Sequence, residues 1–135
     1  MDRVTRIDDE ASYRLMSAAL PLLTPAAQEL VKSVAVFVTA ARRGRANWRG
    51  RLVRVPTFVF NDTINFAGRG TVAGGDAFAA YYLAHELAHV AAKTGTHSPQ
   101  FMAAFKELCP PELQWYETLY KPRAAAAAGI VKNSC

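Results

Sequence analysis

At 135 residues the chain has room for one domain with a real core and not for two. Half of it is hydrophobic, yet no apolar run is long and charge-free enough to span a bilayer, and the charged start MDRVTRIDDE lacks the apolar stretch of a secretory signal. The net charge of +5 is gathered in one segment, and the two cysteines, Cys109 and Cys135, form no C-x-x-C pair, which argues against a zinc ribbon or a disulfide framework and for a cytoplasmic protein with reduced thiols.

In chain order, Asp8 or Asp9 can cap a first helix that runs to about Leu20, where Pro21 stops it. Thr24-Pro25 pairs a cap with a first-turn proline and opens a second helix with Ala27, Leu30, Val31 and Val34 on its apolar side. VAVFVTA (34–40) and RLVRVPTFVF (51–60) are β-branched and aromatic and read as strands, with RRGRANWRG between them as a hairpin turn region. Arg42, Arg43, Arg45, Arg49, Arg51 and Arg54 crowd this stretch, with Trp48 among them. Two readings fit the cluster. One is a phosphate-binding patch with an aromatic for stacking, which would give weak, non-specific nucleic-acid binding through the Arg42–Arg54 region. The other is the solvated face of a hairpin, where arginine discourages edge-to-edge association.

Asn61-Asp62 marks a turn, and Thr63 to Ala67 a short third strand. GRGTVAGGD lacks the Lys-Ser/Thr of a phosphate-binding loop and reads as a flexible approach to the next helix, capped by Asp76. From Ala77 to Ala92 the sequence is apolar on every face except at His85, Glu86 and His89, as in a helix buried in a core. Thr94-Gly95-Thr96 can end that helix, with Gly95 taking a positive φ, and Ser98-Pro99 starts another whose Phe101, Phe105 and Leu108 form one stripe. Ala124 to Ala128, closed by Gly129, reads as a short terminal helix. The expected fold is α+β: one or two N-terminal helices, a small antiparallel sheet of about three strands, the His-bearing helix and further helices to the C-terminus.

The chemistry is concentrated in His85-Glu86-Leu87-Ala88-His89 and His97, which contain every histidine of the chain. Residues four apart on a helix lie one turn above each other, so His85 and His89 can aim a nitrogen at one point. Glu86, rotated by about 100°, can reach a water there without being a ligand. His97, held between a helix stop and a helix start, is the third candidate ligand, because a ligand on a loose loop would lose entropy on binding. A glutamate on a later helix is the alternative third ligand. Glu107, Glu112 and Glu117 are available, with Glu117 as the reserve. The pattern predicts a hydrolytic Zn²⁺ site in which Glu86 is the general base. Tyr116 and Tyr120 are candidate oxyanion donors, and a sheet edge around Thr63 to Ala67 is a candidate for holding a peptide by strand addition.

The segment HELAHVAAKTGTHSPQF resembles the SprT-like and related YgjP- and WLM-type zinc metallopeptidases over roughly Ala77 to Phe105. The resemblance implies one zincin-like domain spanning 1–135, with His85, His89 and His97 on zinc, Glu86 as base and Phe101 as the aromatic behind the third ligand. It also implies a peptide or protein substrate, and the lack of a spanning apolar run argues against a membrane partner. The third histidine follows the second by eight positions, not the six of a metzincin, and Val90-Ala91-Ala92 fills the interval. The rival readings are a nucleic-acid-associated protein stapled by zinc and a catalytically inactive peptide-binding relative.

Overall fold

Asp8 opens the first helix through its side chain, whose carboxylate accepts the Ala11 N–H at 3.0 Å. Helix α1 (Asp9–Arg14) runs on through a wider helical turn (Leu15–Ala19) and a tighter one (Leu20–Leu22). The computed structural model describes residues 7–66 and 70–126. Thr24 caps α2 (Pro25–Leu30) by accepting the Ala27 N–H, and its hydroxyl also reaches the carbonyls of Glu107 and Leu108, tying the start of α2 to a distant helix end.

The larger sheet differs from the expected antiparallel arrangement. Strands β1 (Ala35–Thr39) and β3 (Leu52–Pro56) are parallel neighbours, and β2 (Arg45–Asn47) pairs antiparallel on the far side of β3. The arginine-rich segment is therefore a strand and its turn, and the hairpin is β2–β3. Two local features set it: Asn47 Oδ1 accepts the Gly50 N–H at 2.9 Å, and Arg51 takes a left-handed φ of 54°. The Arg51 guanidinium holds that turn to the Ser33 carbonyl at 3.0 Å and hydroxyl at 2.6 Å. On β3, Val53 and Val55 are fully buried in the core while Arg54 between them points to the other face. The strand stops at Pro56, and Thr57–Phe60 form a short helical turn where the sequence pattern suggested more strand.

Strands β4 (Thr63–Phe66) and β5 (Gly70–Ala73) form a separate two-stranded antiparallel sheet, so half of the supposed flexible loop is ordered pairing. The glycines after β5 fasten it. Gly74 and Gly75 donate to the carbonyls of Asp62 and Asn61, each at 2.8 Å, and a Cβ on Gly74 would lie 2.2 Å from the Asn61 oxygen. Only glycine permits that approach. Asp76 makes no cap; it pairs with Arg14 at 2.7 Å, whose guanidinium lies over the Phe60 ring.

Helix α3 (Asp76–Ala92) is the axis of the core, and each of the thirteen residues from Phe78 to Val90 is buried. It packs against β2, β3, the Leu15–Ala19 turn and the two helices that follow, α4 (Pro99–Leu108) and α5 (Pro111–Ala126). Its C-terminal turn is made by Lys93 (φ 55°), not Gly95, as the Lys93 and Thr94 N–H groups reach the carbonyls of Val90 and His89. Ser98 caps α4 by accepting the Phe101 N–H, and Phe101, Phe105 and Leu108 turn into the core, each worth about 1.5–3 kcal/mol of apolar burial. Helix α5 takes in the first part of the alanine run; residues 127–129 and Cys135 lie outside the described part. The result, among the described residues, is an α+β fold with five α-helices and sheets of three and two strands. Among the described residues no helix is long and apolar enough to cross a membrane.

Candidate metal centre

The structure brings the three histidines together. Their ring centroids form a near-equilateral triangle, with 5.3 Å between His85 and His89, 5.1 Å between His85 and His97 and 5.2 Å between His89 and His97. His85 and His89 are buried on α3, and His97 caps the group from the exposed turn before α4. Phe101, one turn into α4, touches all three rings at centroid distances of 5.0, 4.5 and 4.9 Å. It is the floor of the whole triad, where the resemblance implied support for the third ligand only.

The backs of two rings are anchored. His85 Nδ1 lies 2.9 Å from Glu117 Oε1, and that oxygen also accepts the Tyr81 hydroxyl at 2.7 Å. His89 Nδ1 lies 2.9 Å from the Thr94 carbonyl. An ionised carboxylate and a carbonyl only accept, so the network assigns the proton to each Nδ1 and leaves the Nε2 lone pairs facing the centre. His85 Nε2 and His97 Nε2 are 3.2 Å apart, and the ligand atoms of all three residues lie within 4.8 Å of one another. Two nitrogens on one tetrahedral ion at 2.0–2.1 Å would be roughly 3.3 Å apart. The three residues thus form a group that could hold a metal ion, and their donor set suits a divalent transition metal.

Burial sets the protonation states. His89 is pushed down to about 4, first by desolvation and then by His85, so its ring is neutral and able to bind metal at neutral pH. Burial alone would raise Glu117, but the hydrogen bonds from His85 and Tyr81, with the electrostatic attraction of the His85 ring, outweigh it and hold this carboxylate below its usual range. Glu86 is fully buried and neither of its oxygens has a hydrogen-bond partner. Desolvation, opposed by His85 and reinforced by Glu117, pushes it up to about 7. An unsatisfied buried carboxylate is costly in a merely structural helix. A cation and its water beside the histidines would give it a reason, so the residues present fit a metal.

The remaining candidates separate cleanly. Glu107 and Glu112 are exposed, and Glu117 stands behind His85, outside the ligand group. Tyr116 donates to the Ala73 carbonyl at 2.7 Å, which commits its hydroxyl to β5 and away from an oxyanion role. The side chain of Tyr120 lies outside the described part of the chain. Cys109 is buried with its thiol pushed up to about 12, chiefly by desolvation, so it stays protonated.

Three contributors escape a reading of the motif. Tyr81 and Tyr82 lie four residues before His85 and Glu86 and share their faces of α3, a relation that helix arithmetic could have found. Tyr82 Oη accepts the Gly44 N–H at 2.8 Å. Gly44 itself gives no signal in the sequence. A Cβ there would lie 2.9 Å from Glu86 Oε2, 2.9 Å from the Arg54 carbonyl and 2.5 Å from the Tyr82 ring, so the missing side chain is the room in which the carboxylate sits. Comparison with protein-family models, with curated proteins and with solved structures gave no match, and the functional reading rests on this geometry.

Proposed function

We propose that this protein is a zinc metallopeptidase of the SprT-like kind, acting on a peptide or protein substrate in the cytoplasm. His85, His89 and His97 hold Zn²⁺ and Glu86 is the general base. The convergence of three imidazoles beside an unpartnered buried carboxylate on the same helix carries this reading. Zinc in such a site supplies a water of lowered pKa and polarises the scissile carbonyl.

The chain's own residues do the rest. Glu86 can take a proton from the attacking water and return it to the leaving amine. Glu117 and Thr94 fix the rings of His85 and His89, so that their lone pairs need no reorganisation. The substrate backbone lies along β2. That strand is the edge of its sheet, packs against α3 and starts immediately after Gly44, the residue facing Glu86. Of the Thr63 to Ala67 segment that the sequence offers for this role, Thr63–Phe66 is a strand of the other sheet.

The test is Glu86→Gln against wild type, with zinc content, melting temperature and cleavage of an unstructured protein such as casein measured on both. The variant should keep its zinc and its fold and lose cleavage by about 10²–10⁴-fold. Equal cleavage by both would remove Glu86 from the mechanism. No cleavage by either zinc-loaded protein would turn the reading towards a peptide-binding relative.

A further inference from the structure

Beside the metal centre, the β2–β3 hairpin and the turn after α3 enclose an open cleft of about 470 Å³, lined by Arg45, Asn47, Trp48, Arg49, Arg54 and Gly95. Gly95 is two residues from His97, and Arg45 directly follows Gly44, so the cleft adjoins the candidate site at both ends. Arg45 and Arg54 are direct cross-strand partners in the β2–β3 register. Like charges placed directly opposite on an antiparallel pair destabilise it. Among the described residues, neither arginine has a carboxylate partner. Two other arginines of the hairpin have their own contacts: Arg49 lies over the Trp48 ring at 4.8 Å, and Arg51 is bonded to Ser33. Two like charges opposite each other in the register of a cleft, with an aromatic wall and no counter-ion among the described residues, form a site that an anion from outside would complete.

We infer that Arg45 and Arg54 form a subsite for an acidic side chain of the polypeptide substrate, with a glutamate or aspartate carboxylate bridging the two guanidinium groups while its backbone follows β2. This inference rests on the metallopeptidase reading for the substrate's identity as a polypeptide. A polypeptide is favoured over nucleic acid because Arg45 sits on the edge strand β2, with Arg54 opposite it on β3, and an extended backbone can pair along that edge. A two-guanidinium site is also small, matching one carboxylate better than a run of phosphates.

The experiment measures binding, not cleavage, so it reports on the subsite even if the peptidase reading fails. Fluorescein-labelled unstructured peptides of equal length, one alternating Glu and Ala and one alternating Gln and Ala, are titrated into the zinc-loaded Glu86→Gln protein, with a single-stranded DNA oligonucleotide as competitor. The Glu peptide should bind about tenfold tighter than the Gln peptide at low salt, a difference of two charge-assisted contacts partly screened by solvent. Arg45→Gln and Arg54→Gln should each remove most of that preference. Arg45→Glu tests the same point without endangering the fold, since it creates an ion pair with Arg54. It should raise the melting temperature and abolish the preference. Equal binding of the two peptides, an unchanged preference in these variants, or DNA binding tighter than the Glu peptide and lost with Arg45 would each overturn the inference. Absence of cleavage by the zinc-loaded wild-type protein, with the peptide preference intact, would count against the peptidase reading alone.

Discussion

Around α3 nearly every titratable group has been given a partner or held neutral by burial: Glu117 takes two hydrogen bonds, His89 is backed by a carbonyl, and Glu86 alone is left unsatisfied. On the β2–β3 hairpin, at the surface, two arginines stand opposite each other in the register, and among the described residues neither has a carboxylate partner. The difference teaches where a defect carries information. In the core an unpaired carboxylate is expensive and points to a ligand at once. At the surface an unpaired arginine is solvated at little cost, and only its register opposite another arginine makes it informative.

The comparison breaks most directly at His97, the one exposed member of the triad. His97→Ala should abolish stoichiometric zinc binding while leaving the circular dichroism and the stability of the metal-free protein within about 0.5 kcal/mol, as for other surface changes. His85→Ala should also lose zinc, but it takes from the buried Glu117 carboxylate one of its two hydrogen bonds and should cost about 1–3 kcal/mol in denaturant titration. Stoichiometric zinc in the His97 variant would show that a different group completes the site.

A smaller effect is expected from the anchor behind the ligands. Glu117→Gln should weaken zinc by roughly 10–100-fold in competition with a chromophoric chelator. It should also shift the ¹⁵N resonances of the His85 ring, because an amide side chain no longer fixes the Nδ1–H form. A variant of lower melting temperature with unchanged zinc affinity and unchanged ring resonances would reduce Glu117 to a packing role.

How far the sequence could be read follows from the same contrast. The α3 site was legible because a helix converts spacing into geometry: His85 and His89 must share a face, and the cap–proline pairs at Thr24-Pro25 and Ser98-Pro99 must start helices. The sheet was misread because pairing is long-range. Nothing local in VAVFVTA says whether its neighbour runs parallel, and β2 is only three residues of a segment that looked like a turn. Glycines depend on the same long-range information. Gly44 and Gly74 are required by what approaches them from elsewhere in the chain, and Gly95 was assigned a conformation that Lys93 adopts.

Gly44 joins the two regions and gives the next test. Gly44→Ala should cost about 1–3 kcal/mol of stability through overpacking against Tyr82 and the Arg54 backbone, measurable as a shift of the denaturation midpoint without a change in m. An undiminished midpoint would mean that the Glu86 pocket yields easily and is not a fixed part of the site.

The finest test is the pH dependence of stability in the chelator-stripped protein, where Glu86 and His89 act with opposite sign. The folded state keeps the Glu86 proton up to about pH 7, whereas an unfolded chain releases it near the ordinary 4.5, so this residue makes stability fall as pH rises between those values. The folded state refuses a proton on His89 until about pH 4, whereas an unfolded chain takes one near 6.5, so this residue makes stability fall as pH drops across that window. Between about 4.5 and 6.5 each group shifts the balance by up to one proton, and their slopes oppose each other. Glu86→Gln deletes the first contribution, so the metal-free variant should gain stability relative to wild type as pH rises from 4.5 to 7. His89→Asn deletes the second, so its stability relative to wild type should fall over 4 to 6.5. Urea titrations at half-unit pH intervals on the three metal-free proteins read both differences. Parallel profiles for wild type and Glu86→Gln would mean that the Glu86 carboxyl is no harder to ionise in the folded core than in water, and would remove the contrast between a core that strains its charges and a surface that does not.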